Sequence, residues 1–470
     1  MGLKCNAKNG VKAQLRERFP TAFREFETLV DARNASSASR EEAFACIDGN
    51  VLMMSVPKNC RTFDAYVAIV YTSLLRAIAT AMVTIVVFDD PSAMTEAKLE
   101  EQMKRDRDRA STSVVCSTDI SAPKDDDYTK EYIMSSDDVH ALKSCRGTRM
   151  RFFDEVAMTV MDRLKLQISK WEKSGHTGGY VVMDGIDSRG AARGMSEGRV
   201  PGFVSSSTGL AEIFERGTKI GEGDLKLAAL GRRVRELSNE GAEYETTEQK
   251  DHAERLKGTK LTMCTTIDTD SFAIELIEEA RRSAEPTSPA NTLLCMRERA
   301  KKRGREDDCE PHYLCCDVSL LHALLQRFMW GFSRNPEPIE QRSAISLLVA
   351  GWSICGCDFV EIKGMRSDVV FDAISEVVKT RSDSLAKMQN AWKGDRSALT
   401  LMHQPLRDLM MICGTRLLDI KSSRKMDTID NVRQPDDIIL NRVSWIVAYW
   451  NSCEFRGNMQ EFGFVSTHSD

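Results

Sequence analysis

The sequence lacks the uninterrupted apolar run of about 18 residues that a membrane-spanning helix needs. Its opening stretch, MGLKCNAKNG, also lacks the apolar segment of a secretory signal peptide. These two absences predict an intracellular protein with no membrane contact. The basic run 297–305, RERAKKRGR, is a weak nuclear signal, so the sequence leaves the cytoplasm and the nucleus both open.

Zinc-binding patterns are missing too, although the chain has 14 cysteines and seven histidines. The pairs Cys315–Cys316 and Cys355/Cys357 do not have the spacing of zinc ligands. Cysteines in a large chain without a secretion signal are usually free thiols in a reducing compartment. We therefore expect buried thiols rather than a metal centre built on sulfur.

The composition is that of a globular protein, because 42% of the 470 residues are hydrophobic and 29% are charged. The net charge of −5 neither requires nor excludes a nucleic-acid partner. Short β-branched runs alternate with helical stretches such as 64–82 and 151–173. This alternation predicts an α/β fold with a mostly parallel central sheet and flanking helices.

The chain divides into two regions by its sequence pattern. We expect the α/β domain to occupy residues 1–340, and residues 341–470 to form a mainly helical C-terminal region that completes its core. Segments rich in Gly, Ser, Pro or charge predict insertions or loops at about 111–147, 187–209 and 281–311.

Acidic residues follow several of the predicted strands. The runs FACID and VTIVVFDD lead to Asp48 and Asp89, and KLTMCTTIDTD ends in the pair Asp268 and Asp270. Each acid by itself is more readily explained as a turn residue or a helix N-cap than as a ligand. However, the carboxyl ends of parallel strands form the functional crevice of such sheets, so these carboxylates should lie close together.

A second acidic pair, Glu222 and Asp224, lies in the stretch GEGDLKL. Acids spaced i and i+2 between glycines are poorly suited to a core or a regular helix, and in a turn they point to one side. Clustered carboxylates cannot all ionise without compensation. Oxygen ligands without His or Cys favour Mg²⁺ or Mn²⁺, and two such ions can serve phosphodiester hydrolysis. The acids therefore predict a site for two divalent cations.

Collinear motifs from residue 1 to about residue 370 resemble the 5′-nuclease superfamily of flap endonucleases and Xrn-type 5′–3′ exoribonucleases. CIDGN and VVFDD resemble its first two metal-carboxylate motifs, and ICGCDFVEIKG resembles its last. GEGDLK is close to the Xrn motif Gly-Glu-Gly-Glu-His-Lys, and GTRM at 147–150 is also similar to the Xrn branch. The resemblance implies a PIN-like fold and metal-dependent hydrolysis of RNA or DNA with a 5′ end. The implied catalytic and metal-binding residues are Asp48, Asp89, Glu222, Asp224, Asp268, Asp270 and Asp358.

A basic stripe follows the second motif in the stretch EAKLEEQMKRDRDR. As a helix, this stretch places Lys98, Gln102, Arg105 and Arg109 within about 60° of one another around the axis. Such a stripe is either a solvated helix with i,i+4 ion pairs or a set of phosphate-binding side chains. The resemblance favours phosphate binding, and Asn50 fits the Asp-x-Asn form of the Xrn branch. The implied substrate-binding residues are Lys98, Gln102, Arg105 and Asn50.

Three positions depart from the superfamily pattern. Met54 stands where both branches have an aromatic residue or His, Asp106 replaces a basic residue of the Xrn branch, and Arg366 replaces the second glycine of the flap-endonuclease hairpin. Three functions therefore stay open. RNA is modestly favoured as the substrate of a 5′–3′ nuclease; the alternatives are a flap-type DNA nuclease and a catalytically weak nucleic-acid-binding scaffold.

Overall fold

A computed structural model describes residues 10–54, 56–57, 59–89, 130–136, 139–143, 146–175, 179–183, 204–205, 222–237, 247, 250, 254, 256–282, 291–298, 312–332, 334–357, 360, 362, 365–392, 396–419 and 435–451. Within these residues a mixed, mostly parallel sheet is covered by helices, and residues beyond 337 are mainly helical. The predicted α/β class and the helical C-terminal region are thus confirmed.

Eight strands form one sheet within the described chain. They are β1 Phe23–Phe26, β2 Ala43–Asp48, β3 Val83–Val87, β4 Tyr180–Met183, β5 Val204–Ser205, β6 Leu261–Thr266, β7 Asn291–Glu298 and β8 His312–Asp317. Their order across the sheet is β1-β8-β7-β6-β2-β3-β4-β5. The five central strands, from β7 to β4, are parallel to one another. At the two sides of the sheet, β8 pairs antiparallel with β7, β1 with β8, and β5 with β4.

Helices connect and cover these strands. The α-helices are α1 Val11–Arg18, α2 Leu29–Ala35, α3 Gly49–Met54, α4 Phe63–Thr80, α5 Lys130–Ser135, α6 Val139–Leu142, α7 Arg146–Lys173, α8 Gly223–Leu237, α9 Asp270–Arg282, α10 Val318–Trp330, α11 Pro338–Cys355, α12 Ser367–Thr380, α13 Ser382–Ala386, α14 Arg396–Leu401, α15 His403–Asp419 and α16 Asp437–Asn451. Two 3-10 helices cover Pro20–Ala22 and Lys387–Trp392.

The central strands are buried on both faces, which explains their continuously apolar sequences. All residues of β2, β3 and β6 are buried. Alternate side chains of β3 enter different cores: Val83 and Ile85 join the core that contains α8, α9 and the C-terminal helices, whereas Val86 joins the core that contains α4 and α7. The sheet therefore lies between two helical layers.

The strand order reverses at the centre of the sheet. The chain builds β2, β3 and β4 outward in one direction, and then returns to place β6 and β7 on the other side of β2. In open α/β sheets, such a switch point leaves a crevice at the carboxyl ends of the two strands beside it. Here those strands are β2 and β6, which lead to Asp48 and Asp268.

One predicted loop segment contains an interior strand. Residues Asn291–Glu298, inside the segment 281–311, form β7 between β6 and β8, so the loop prediction is wrong for these eight residues. Their apolar run, TLLCM, pairs with the buried edge of β6 and outweighs the Pro-, Ser- and Arg-rich flanks. In 111–147, the described part includes α5 and α6, whose Ile133 and Val139 are buried. In 187–209, the structure describes only β5.

The C-terminal helices share a core with the sheet. α11 packs against α9, α12 and α16, and the same buried cluster contains Trp352, Trp445 and the strand residue Phe44. Nine described cysteines are free thiols, eight of them buried, as the sequence predicts.

Among described helices, α4 is long and apolar enough to cross a membrane, but the core helix of a globular domain passes the same test. α4 packs against α7, where the rings of Phe63 and Phe152 lie 6.1 Å apart edge to face.

A substitution at Gly49 tests the packing beside the switch point. A Cβ atom at Gly49 would lie 2.1 Å from Cε1 of Phe88, a ring that is only 2% exposed. We expect Gly49→Ala to lower the free energy of unfolding by about 1–3 kcal/mol, as overpacking does. The measurement is urea denaturation in metal-free buffer. The control is Gly258→Ala, because nothing lies within 4 Å of the Cβ position there. Equal stabilities of the two variants would contradict this packing.

Candidate carboxylate site

Asp48 ends β2 at the switch point and is buried, with 7% exposure. Its Oδ1 accepts a hydrogen bond from the backbone N–H of Asn50 at 2.8 Å, where α3 has already begun. The missing side chain of Gly49 leaves room for the ring of Phe88 against this turn. A glycine after Asp48 therefore lets β2, α3 and the end of β3 meet closely.

Asp89 follows β3 and is held by the first residue of α8. The backbone N–H of Gly223 donates to Asp89 Oδ1 at 2.9 Å, which satisfies one of the amides that a helix start leaves without an intrahelical partner. Lys226, one turn further, is buried and donates from Nζ to the carbonyl oxygen of Phe88 at 2.8 Å. Two contacts thus fix the start of α8 on the end of β3.

The stretch GEGDLKL is the start of a helix, so our expectation that it suits neither a helix nor a core is wrong. α8 begins at Gly223, Asp224 lies in its first turn, and Glu222 just before it is 6% exposed. A Cβ atom at Gly223 would lie 3.3 Å from Asp89 Oδ1, so glycine allows the close approach. Acids also suit the first turn, because the helix dipole is positive there.

Asp224 is bound by two hydroxyl groups from the β6–α9 junction. Ser271 donates from Oγ to Asp224 Oδ1 at 2.7 Å, and Thr266 donates from Oγ1 to the same oxygen at 3.2 Å. The two hydroxyl oxygens lie 3.3 Å apart. These contacts bring the first turn of α8 to the carboxyl end of β6.

The second acidic pair occupies the turn between β6 and α9. The N–H of Asp268 donates to Thr266 Oγ1 at 3.0 Å, and the N–H of Asp270 donates to Asp268 Oδ1 at 3.2 Å. Asp270 is the first residue of α9 and is 7% exposed. As with Asp48, Asp89 and Asp224, an oxygen of Asp268 is fixed by a donor from this chain.

The pKa of Asp48 reflects the charges of the acids around it. Burial raises the pKa of the Asp48 carboxyl well above its ordinary value. The charges of Asp224 and Asp89 raise this pKa further, and Asp268 does so to a smaller extent, whereas the N–H of Asn50 lowers it. Four acids from three strand ends and one helix start therefore share a crevice in which their charges oppose each other.

The structure places six of the seven predicted metal-binding acids: Asp48, Asp89, Glu222, Asp224, Asp268 and Asp270. Of the predicted substrate contacts it places Asn50, whose N–H binds Asp48. Asp358, Lys98, Gln102 and Arg105 lie outside the described residues. Sequence reasoning missed the roles of Lys226, Thr266 and Ser271, because their partners are distant in the sequence. The sequence did offer one indication of their roles: Lys226 follows Asp224 by two residues, and Ser271 directly follows Asp270.

The acids have the donor chemistry of a magnesium site without a complete ligand shell. In the part of the chain described, no three His, Cys, Asp or Glu side chains are grouped as a metal ion requires. Carboxylate oxygens are nevertheless the donors that Mg²⁺ and Mn²⁺ prefer. The raised pKa of Asp48 marks a concentration of negative charge that a cation would offset. By donor type and charge, the residues fit a hard divalent cation.

Comparison with known proteins assigns no family to this arrangement, because no family model matches the chain and no curated protein matches its sequence.

Removing the charge of Asp48 tests the electrostatic account. Asn keeps an oxygen for the N–H of Asn50 but cannot ionise among the other acids. Because the raised pKa opposes ionisation in the folded state, we expect Asp48→Asn to raise the free energy of unfolding in metal-free buffer at neutral pH. The expected gain is about 0.5–2 kcal/mol, the usual size of a stabilising substitution.

The matched control is Asp317→Asn, since Asp317 caps α10 through its Oδ1 and Asn caps equally well. Its stability should change by less than about 0.5 kcal/mol. A loss of stability in Asp48→Asn would show that the carboxylates do not repel one another as described.

Proposed function

We propose that the chain is a Mg²⁺- or Mn²⁺-dependent 5′–3′ nuclease that hydrolyses phosphodiester bonds of nucleic acid, with RNA modestly favoured. The proposal depends on one observation: Asp48, Asp89, Asp224 and Asp268 converge at the carboxyl ends of the central strands, and the pKa of Asp48 is raised there. The motif order that resembles the 5′-nuclease superfamily and its PIN-like fold supports the same function. The site would be intracellular, in the cytoplasm or the nucleus.

The residues that would hold two divalent cations are Asp48, Asp89, Glu222, Asp224, Asp268, Asp270 and, by sequence, Asp358. Bound cations would supply a nucleophilic water at neutral pH and would offset the charge that develops on the phosphate and the leaving oxygen. The chain keeps the carboxylates oriented through the N–H groups of Asn50, Gly223 and Asp270. The positive ends of α8 and α9 point toward the same crevice and favour an anionic substrate there.

The substrate's 5′ end would be bound by residues assigned from the sequence. Lys98, Gln102 and Arg105 would contact the 5′-terminal phosphate, and Asn50 lies beside Asp48. An observation on Arg366 supports single-stranded substrates. This residue has extended backbone, with φ −122°, and forms a two-point ion pair with Asp368. It therefore lacks the positive φ that a glycine hairpin gripping duplex backbone often uses.

Two other functions remain as competing proposals. A flap-type DNA nuclease would use the same carboxylates but would prefer branched DNA. A nucleic-acid-binding scaffold would keep the fold and lose the chemistry, and the exposed Met54, where the superfamily has a stacking ring, favours weaker base stacking. Asp48, buried beside the charges of the other acids, argues against a pure scaffold, because such a group disfavours both folding and phosphate binding when no cation is bound.

Substitution of the second acidic pair tests the catalytic proposal. We expect Asp268→Ala and Asp270→Ala each to reduce turnover of single-stranded RNA by at least ~10²-fold, as loss of transition-state electrostatic groups does. Mg²⁺ should raise the melting temperature of the wild-type protein, since it binds only the native state, and should do so less in both variants. Asp64→Asn is the control, because Asp64 is an exposed residue of α4. Near-full activity in both Ala variants would refute the metal-dependent mechanism.

The basic stripe supplies a second test, which separates exonuclease from flap-type recognition. We expect Arg105→Ala to weaken use of 5′-phosphorylated RNA by about 1.5–3 kcal/mol more than use of 5′-hydroxyl RNA, the size of a charged hydrogen bond. kcat/KM on the two substrates is the measurement. The control is Arg107→Ala, which the helical period places on the opposite face of the stripe. Equal, severe losses on both ends in Arg105→Ala would favour the flap-type alternative.

A further inference from the structure

Two buried hydroxyl groups, those of Ser271 and Thr266, contact Asp224 but are not among the proposed metal ligands. Ser271 and Thr266 are 3% and 0% exposed. Their oxygens and Asp224 Oδ1 form a triangle with sides of 2.7, 3.2 and 3.3 Å. Ser271, the second residue of α9, directs its hydroxyl at a carboxylate on α8.

Thr266 connects two of the acids through one oxygen. Its Oγ1 donates to Asp224 at 3.2 Å and accepts from the N–H of Asp268 at 3.0 Å. A hydroxyl has a single proton, so Thr266, which donates to Asp224, cannot also donate to Ser271. The proton of Ser271 is therefore directed at Asp224 or at Thr266. The shorter distance to Asp224, 2.7 Å, selects Asp224 as the acceptor. Both hydroxyl protons are thus directed at the same carboxylate oxygen.

These contacts determine which way the Asp224 carboxylate faces. With two hydroxyl donors on Oδ1, rotation of the carboxyl about its last bond breaks two hydrogen bonds to an ionised group. Elsewhere, α8 and α9 are joined by the ion pair of Arg232 with Glu278, two turns along α8 from Asp224. That ion pair joins the helices further along, whereas Ser271 and Thr266 bind the Asp224 carboxylate itself.

We propose that Ser271 and Thr266 are positioning residues that orient the Asp224 carboxylate for a divalent cation, a role that rests on the proposed function. Hydrogen-bond partners behind metal ligands typically change metal affinity by about 10–100-fold when they are removed. Ser271 and Thr266 therefore set the metal affinity of the site without contacting substrate.

The experiment measures Mn²⁺ binding to the full chain without nucleic acid, by electron paramagnetic resonance of free Mn²⁺. We expect Ser271→Ala to weaken Mn²⁺ binding about 10-fold or more, and Ser271→Thr, which keeps the hydroxyl, to restore most of it. Thr266→Val is the second variant, because it has nearly the same shape and lacks the hydroxyl. In RNA cleavage, both hydroxyl-deficient variants should need more Mg²⁺ for half-maximal rate and should regain most of kcat at saturating Mg²⁺.

The matched control is Ser384→Ala. Ser384 donates to Asp408 at 2.5 Å in the C-terminal helices, and both residues are buried, so the variant loses the same kind of hydrogen bond outside the carboxylate site. It should lower the melting temperature and keep Mn²⁺ affinity within about twofold of wild type. Unchanged affinity in Ser271→Ala and Thr266→Val, or an equal loss in Ser384→Ala, would overturn the positioning role alone. A wild-type chain that binds no Mn²⁺ at millimolar concentration would overturn the proposed function as well.

Discussion

The burial of Asp48 beside the charges of neighbouring acids is the constraint on which the rest of the site depends. Asp48 lies at the sheet's switch point, and its pKa is raised first by burial and then by the charges of Asp224 and Asp89. A core of this size gains nothing from such a concentration of acids, since apolar side chains would fill the space at lower free energy. The fold therefore contains a group of residues whose placement opposes stability, which is characteristic of functional sites.

The surrounding architecture limits this cost by giving Asp48, Asp89, Asp224 and Asp268 fixed donors. The start of α8 donates to Asp89, the start of α3 donates to Asp48, and the hydroxyls of Ser271 and Thr266 bind Asp224. Lys226 adds a buried positive charge that reaches the carbonyl of Phe88, next to Asp89. The helix starts and the buried lysine hold the acids together in the folded chain. The doubly wound strand order places the carboxyl ends of their strands side by side.

Much of this arrangement follows from local sequence, and the part that does not has clear physical reasons. The buried parallel strands β2, β3 and β6 were predictable because both faces are apolar, and the acids after them were predictable as strand-end residues. β7 was missed because its short apolar run lies between segments of turn-like and basic composition. The helix at GEGDLKL was missed because its glycines and Asp224 have low helix propensity, while its stabilising contacts come from Asp89 and Phe88. The bonds from Thr266 and Ser271 to Asp224 span 42 and 47 residues, and no local pattern encodes them.

The most direct test of the central claim is cleavage of 3′-labelled single-stranded RNA, single-stranded DNA and flap DNA by the full chain, each with 5′-phosphate and 5′-hydroxyl ends. The account predicts shortening from the 5′ end that needs Mg²⁺ or Mn²⁺, stops with a chelator and is fastest on 5′-phosphorylated RNA. Preferred cleavage of flap DNA would assign the same carboxylates to the flap-type alternative. Binding of these nucleic acids without cleavage of any of them, at millimolar Mg²⁺ or Mn²⁺, would contradict the account.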